Sequence, residues 1–436
     1  MISRFTHSRA RPVWHGFAAT LVAFVWFAAS HTVCAAVAPD GSVVARDATL
    51  RTARRGAARG VPYGTAPDWQ NHLRLQVGAL AFGDLDGDGR DDLAVGTYDS
   101  NSYPPYDDWH DYVYFNTGDA LEDDPSWQSA DQHHTGAVGI ADIDGDGRND
   151  LVAARGGFGF DPTAVYYNSA AGLETTAGWQ SQTQAWAVGM VLVDIDGDGD
   201  IDLVTANEGN SQNDPYRPLY LFRNNGSGLA ATPDWQSAES SIQNSVAAGD
   251  LTGDGKPDLA TAKWVDFESA AYENVDGTPA LSPYWNVDST DGDRGVAIAD
   301  FDGDGDNDIL LGQTVLTLWS NEGNGDFMPV WYADNTDSDH EDLAVADING
   351  DGWPDIAEID FARGKTWIYL NHAGQLDPVP AWSYDTGEAG TALAFGDVNG
   401  DGLPDLAIGY AGDTSVAVFL NQGIAPDDTV FANGFD

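Results

Sequence analysis

Seven short acidic segments hold the side chains of this chain best suited to chemistry. Loop 1 (residues 84–92, DLDGDGRDD) places Asp84, Asp86, Asp88 and Asp92 at positions 1, 3, 5 and 9, with Arg90 at position 7. Loop 2 (142–150) repeats the pattern with Asp142, Asp144, Asp146, Arg148 and Asp150, and loop 3 (194–202) with Asp194, Asp196, Asp198, Asp200 and Asp202. Loop 4 (250–258) has Asp250, Thr252, Asp254, Lys256 and Asp258; loop 5 (300–308) has Asp300, Asp302, Asp304, Asp306 and Asp308. Loop 6 (347–355) has Asp347, Asn349, Asp351, Trp353 and Asp355; loop 7 (397–405) has Asp397, Asn399, Asp401, Leu403 and Asp405.

Hard carboxylate oxygens at alternate positions of a tight turn suit Ca²⁺, which takes six to eight oxygen ligands. Glycines at positions 4 and 6 permit the sharp turn. The expected donors are the side chains at positions 1, 3, 5 and 9 and the backbone carbonyl at position 7. Mg²⁺ fits less well, because it demands a smaller octahedral shell. An EF-hand would need Glu at position 12 on a helix; only loop 6 has it, as Glu358, and a strand pattern follows each loop. The expectation is up to seven calcium ions, one per loop. The Thr252 loop, poorer in ligand charge, should be the weakest.

The elements that must position these loops recur with them. A Trp precedes each loop: Trp69, Trp127, Trp179, Trp235, Trp285, Trp331 and Trp382. An Asn follows each in an aromatic or aliphatic context: Asn116, Asn168, Asn224, Asn274, Asn321, Asn371 and Asn421. Short apolar stretches of strand length bound the loops, and no convincing helical periodicity appears after residue 60. Each unit reads as four strands, the size of a propeller blade. The fold expected is all-β: a seven-bladed β-propeller of four-stranded blades. The first Trp has no blade before it and the last unit lacks an outer strand. The N-terminal strand around Trp69 should therefore join the last blade and close the ring.

Composition bounds the rest. The 436 residues carry a formal charge of −50, unevenly spread: residues 1–60 hold eight Arg and two Asp. Residues 61–436 hold eleven Lys or Arg against 67 Asp or Glu. Nucleic acid and anionic lipid are poor partners for such a surface. Residues 1–36 read as a secretory signal peptide, with Arg4, Arg9 and Arg11 before the apolar run Phe17 to Ser30. That run is short for a membrane span. Cys34, the only cysteine, would leave with the signal; Val33 before it fits a lipoprotein anchor poorly. The organisation expected is signal peptide (1–36), flexible leader (37–61), propeller (62–423) and a short tail (424–436). The destination is secreted, periplasmic or extracellular.

With Trp, DxDGDGxxD and aromatic-Asn-x-Gly in order, the chain resembles the FG-GAP/VCBS repeat proteins over about residues 62–423. That family includes the propellers of integrin alpha-subunit heads and of some lectins. The resemblance implies calcium in the loop between the first two strands of a blade. It implies no single activity, since the propeller is a scaffold.

In a propeller the calcium loops lie on one rim. The turns before the first strand and after the second lie on the other. Candidate ligand residues on that opposite rim are His133, His134, Arg155, Trp186, Lys263, Trp264, Arg294 and His340. The segment from Thr97 to Asp111 adds Tyr98, Tyr103, Tyr106, Trp109 and His110. Aromatic faces with mixed polar groups suit a glycan, and a few cations suit an anionic group on it. Trp186 and Trp264 read equally as plugs of the central channel. Three functions stay open: a glycan- or surface-ligand-binding adhesion module, a lyase-type enzyme on acidic polysaccharide, and a purely structural scaffold. No catalytic motif supports the enzyme.

Overall fold

A computed structural model describes residues 60–423, apart from 99–108, 119, 157–160, 184, 210–215, 265–267, 289–291, 324, 336–339 and 413. It also describes the backbone of two paired two-residue strands, Ala36–Val37 and Val43–Val44. Residues 1–35 of the expected signal peptide, including Cys34, most of the expected leader, the expected tail, Tyr103 and Tyr106 fall outside the described residues.

The described residues form no helix; they form seven four-stranded antiparallel sheets arranged in a ring. The first strand of each blade is Val77–Gly83, His134–Ala141, Trp186–Val193, Gln243–Gly249, Val296–Ala299, His340–Ala346 or Ala389–Gly396. Blade 1 continues with Asp92–Thr97, Tyr112–Tyr114 and Trp127–Gln128. In blade 7, Ala389–Gly396 is followed by Asp405–Ala411 and Val416–Phe419, and the fourth strand is Trp69–Gln70. Trp69 pairs with Val418 and Gln70 with Ala417. The N-terminal strand thus closes the ring, and Ala389–Gly396 lies against Val77–Gly83. Closure leaves no blade without a neighbour.

The second strands are buried throughout rather than on alternate residues. Both faces of a blade pack against neighbouring blades, so both must be apolar. Apolar clusters accordingly sit in the seams. One joins Val191, Val204 and Leu221 of blade 3 to Val246, Leu259 and Tyr272 of blade 4. Another joins Val77, Leu93 and Tyr112 of blade 1 to Ala392, Ala407 and Val418 of blade 7.

The repeated Trp and Asn lock these seams. Each Trp meets, edge to face, the aromatic residue two before the Asn of the next blade. The pairs are Trp69–Tyr114, Trp127–Tyr166, Trp179–Phe222, Trp235–Tyr272, Trp285–Trp319, Trp331–Tyr369 and Trp382–Phe419. Centroids lie 5.2–6.2 Å apart at 68–85°. Such geometry puts ring edges on ring faces, and each pair adds about 0.5–1.5 kcal/mol beyond burial.

Each Asn donates its backbone N–H to the position-9 Asp of its own loop, at 2.6–2.8 Å. Its side-chain Nδ2 donates to the position-2 carbonyl of the preceding blade's loop, at 2.5–2.9 Å. The position-2 N–H in turn donates to its own position-9 Asp, at 2.8–3.1 Å. These three bonds repeat around all seven blades and return to the start where Asn116 meets Val398. At Asn116, Asn224, Asn321, Asn371 and Asn421 an amide serves twice, because Oδ1 also accepts the N–H of the following glycine turn.

Candidate metal centres and the opposite rim

The acidic loops connect the first and second strands of each blade, and their backbones pre-orient the carboxylates. All fourteen glycines at positions 4 and 6 have φ between +69° and +101°, the left-handed region that side chains resist. In loop 1, Asp84 accepts the N–H groups of Gly87 and Gly89, at 2.7 and 2.9 Å. Asp86 accepts from Asp88, and Asp88 from Arg90. The position-9 carboxyls are fully buried. Burial pushes them up, against the pull of their backbone N–H partners: to about 7 for Asp92, about 6 for Asp150 and about 8 for Asp355. An adjacent cation is the partner that favours their charged form.

In four loops three Asp bring one oxygen each within 4.8 Å of one another. They are Asp84, Asp86 and Asp92; Asp142, Asp144 and Asp146; Asp194, Asp196 and Asp202; and Asp300, Asp302 and Asp304. These are the four loops with an acid at position 3. In the others that place is Thr252, Asn349 or Asn399. Asn349 is 4 % exposed, and neither of its amide atoms has a hydrogen-bond partner. A buried amide oxygen with no donor suits a cation as readily as a proton. The donor set, all hard oxygen on a tight turn, therefore fits a metal ion of the calcium type.

Position 7 does more than offer a carbonyl. The side chains of Arg90, Arg148 and Lys256 reach the position-5 acids Asp88, Asp146 and Asp254 at 2.5, 3.1 and 3.0 Å. Exposed pairs of this kind add little stability. Trp353 lies on the preceding loop instead, so close to Gly303 that a β-carbon there would sit 2.4 Å from the indole.

The opposite rim holds the eight candidate ligand residues. Register puts His134 beside Gly156 and Trp186 beside Glu208, at the strand ends remote from the acidic loops. Four of the eight are turned inward onto acids. Arg155 is fully buried and meets Asp131 at 3.3 Å, Asp111 at 3.7 Å and the Tyr166 hydroxyl. Lys263 pairs with Glu239 at 2.7 Å, Arg294 with Glu341 at 2.5 Å, and His340 with Glu358 at 2.7 Å. Buried charges need such partners. The acids come from other strands and, for Arg294, from the next blade.

The remaining four are half-buried. His133 lies between Asp131 and Asp161, at 2.9 and 3.1 Å. His134 stacks at a tilt on Trp109, centroids 5.3 Å apart. Trp186 lies on Gly156, where a β-carbon would be 2.0 Å from its ring. His134 pairs with Gly156, so the Trp109–His134 and Trp186–Gly156 contacts both fall at this end of blade 2. Trp264 lies farther around, against Gly292 and under the Arg294 guanidinium at 5.3 Å.

His133 makes stability depend on pH. Its hydrogen bond to Asp161 raises its pKa above the ordinary 6.5, against burial and the Arg155 charge, with further help from the charges of Asp161 and Asp131. A raised folded pKa means the stabilisation is complete below the unfolded value and fades as pH rises through the folded one. In calcium-saturated buffer, the urea midpoint should therefore fall between about pH 6 and pH 9. His133→Gln should flatten that decline; an unchanged slope would discard the assignment.

A closed ring of seven four-stranded blades, each with an acidic loop between its first two strands, defines a seven-bladed β-propeller with acidic inter-strand loops. The FG-GAP-like repeat model matches residues 84–153, 142–205, 194–261 and 359–408, more than half of the chain. The chain belongs to the FG-GAP-like repeat family. No curated protein matches it in sequence. A solved structure described as BBS1N in complex with ARL6DN, soaked with lead, is similar in fold. The likeness covers 84 % of this chain and 98 % of that one, with TM-score 0.57 and 12 % identity. Among the described residues no helix is long and apolar enough to cross a membrane.

Proposed function

We propose that this protein is an exported, calcium-stabilised propeller that binds glycans or related surface ligands through the rim opposite the acidic loops. The fold is that of a ligand-binding or structural module, and its acidic clusters suit a metal. The finer reading is carried by one observation, three half-buried aromatic rings, Trp109, His134 and Trp186, at the strand ends remote from the acidic loops. Aromatic faces beside polar groups offer a pyranose ring both an apolar platform and hydrogen bonds. The repeated Trp rings, by contrast, are spent in the seams. The calcium loops stabilise, and the ligand surface lies where the blades differ. Export rests on the basic-apolar N-terminal segment of the sequence.

A glycan array probed with calcium-loaded protein tests this reading. Binding to a defined glycan class should fall at least about ten-fold in Trp186→Ala, the loss typical of an aromatic anchor. The melt of the variant is recorded alongside, so that lost binding is read only where the protein is folded. An array with no hits leaves the purely structural scaffold. Ultraviolet-absorbing product from a uronate polymer would point to the enzyme instead.

A further inference from the structure

Loops 3 and 5 form a matched pair. Each carries Asp at positions 1, 3, 5, 7 and 9. Each also brings three of those acids together within 4.8 Å. They differ at the residue before the blade's Asn, which faces the position-3 acid. In blade 5 it is Ser320, whose hydroxyl donates to Asp302 at 3.2 Å. In blade 3 it is Arg223, whose guanidinium pairs with Asp196. The other five blades place Phe115, Tyr167, Glu273, Leu370 or Leu420 there.

Arg223 is held from a second side. Its Nη2 donates to the Gly277 carbonyl and to the Thr278 hydroxyl, the latter at 2.9 Å, both on the hairpin of blade 4. That hairpin presses on the same acid: a β-carbon on Gly277 would sit 2.7 Å from the Asp196 β-carbon. Asp196 Oδ1 meanwhile accepts the Asp198 N–H. The guanidinium is therefore clamped between a loop-3 carboxylate and the next blade.

We propose that Arg223 is a tethered cation that competes with calcium for Asp196, making loop 3 a weaker site than loop 5 despite the same acids. The proposal rests on the calcium reading. A fixed positive charge beside the site repels a divalent ion and occupies one ligand oxygen. It also ties metal occupancy in blade 3 to the blade-4 hairpin, because calcium would draw Asp196 away from Arg223.

Carboxyl labelling of the full chain during a calcium titration, read by mass spectrometry, separates the loops. The peptide spanning residues 194–202 should become protected at calcium concentrations about ten-fold higher than the peptide spanning 300–308. Arg223→Ser, which copies blade 5, should lower the loop-3 midpoint about ten-fold and leave loop 5 unmoved. Arg223→Gln serves if the serine variant misfolds. Equal midpoints in the unmodified protein, or a loop-3 midpoint unmoved by both variants, would overturn the proposal alone. Protection of neither loop would overturn it together with the calcium reading.

Discussion

Excess chelator lowers the melting temperature by about 8 °C relative to protein in ~1 mM calcium. Each convergent loop holds three carboxylate oxygens within 4.8 Å, and without a cation they repel. If each of the four such loops binds with a Kd of ~10⁻⁴ M, calcium at ~1 mM contributes about 1.4 kcal/mol per loop. Four loops then supply roughly 6 kcal/mol, and a domain of about 360 residues shifts by about 1.3 °C per kcal/mol. Readdition of calcium should restore the melt, while magnesium at the same concentration should restore little. Scanning calorimetry or circular dichroism checks both arms. A melt indifferent to chelator would sink the calcium assignment.

Replacing Asn224 by Ala costs about 3 kcal/mol, measured as the loss of unfolding free energy in urea. Its side chain donates to the carbonyls of Ile143 and Ile201 at 2.7 and 3.1 Å. It also accepts the N–H groups of Asn225, Gly226 and Gly228 at 2.8, 3.2 and 3.1 Å. Truncation leaves buried backbone groups without partners, which costs more than the bonds contribute. Asn274→Ala should cost less, because its Oδ1 accepts no hydrogen bond and only two donations are lost. Equal losses at the two positions would show that the acceptor side of the amide does not matter. A loss below about 1 kcal/mol at Asn224 would remove the inter-blade bond as a main stabiliser.

Much of this was legible in the sequence because repetition multiplies a weak local signal. The loops, the blade count, the Trp spacing and the closing strand all followed from counting landmarks along the chain. The acid at position 3, replaced elsewhere by Thr252, Asn349 or Asn399, already separated loops 1, 2, 3 and 5 from the others, as the convergent clusters do. What the Asn and Trp touch was not legible. Asn168 reaches Leu85, and Trp179 reaches Phe222, and no local pattern names a partner in a neighbouring blade. The acids that meet the rim candidates Arg155, Lys263, Arg294 and His340 were not legible either, because they lie on other strands.

The sequence by itself determined the unit: strand, acidic turn, strand, strand, Trp, seven times, with donor spacing set by covalent geometry within nine residues. Tertiary structure decided what each unit does to the next. Only the closed ring sets the Asn amide on a foreign carbonyl, or clamps Arg223 between Asp196 and the hairpin of blade 4. The physical reason is range. A turn is fixed by the backbone dihedrals of its own residues, whereas the partner of a buried charge or amide is fixed by how whole sheets pack. That packing also separates loops 3 and 5, whose acids the sequence makes alike.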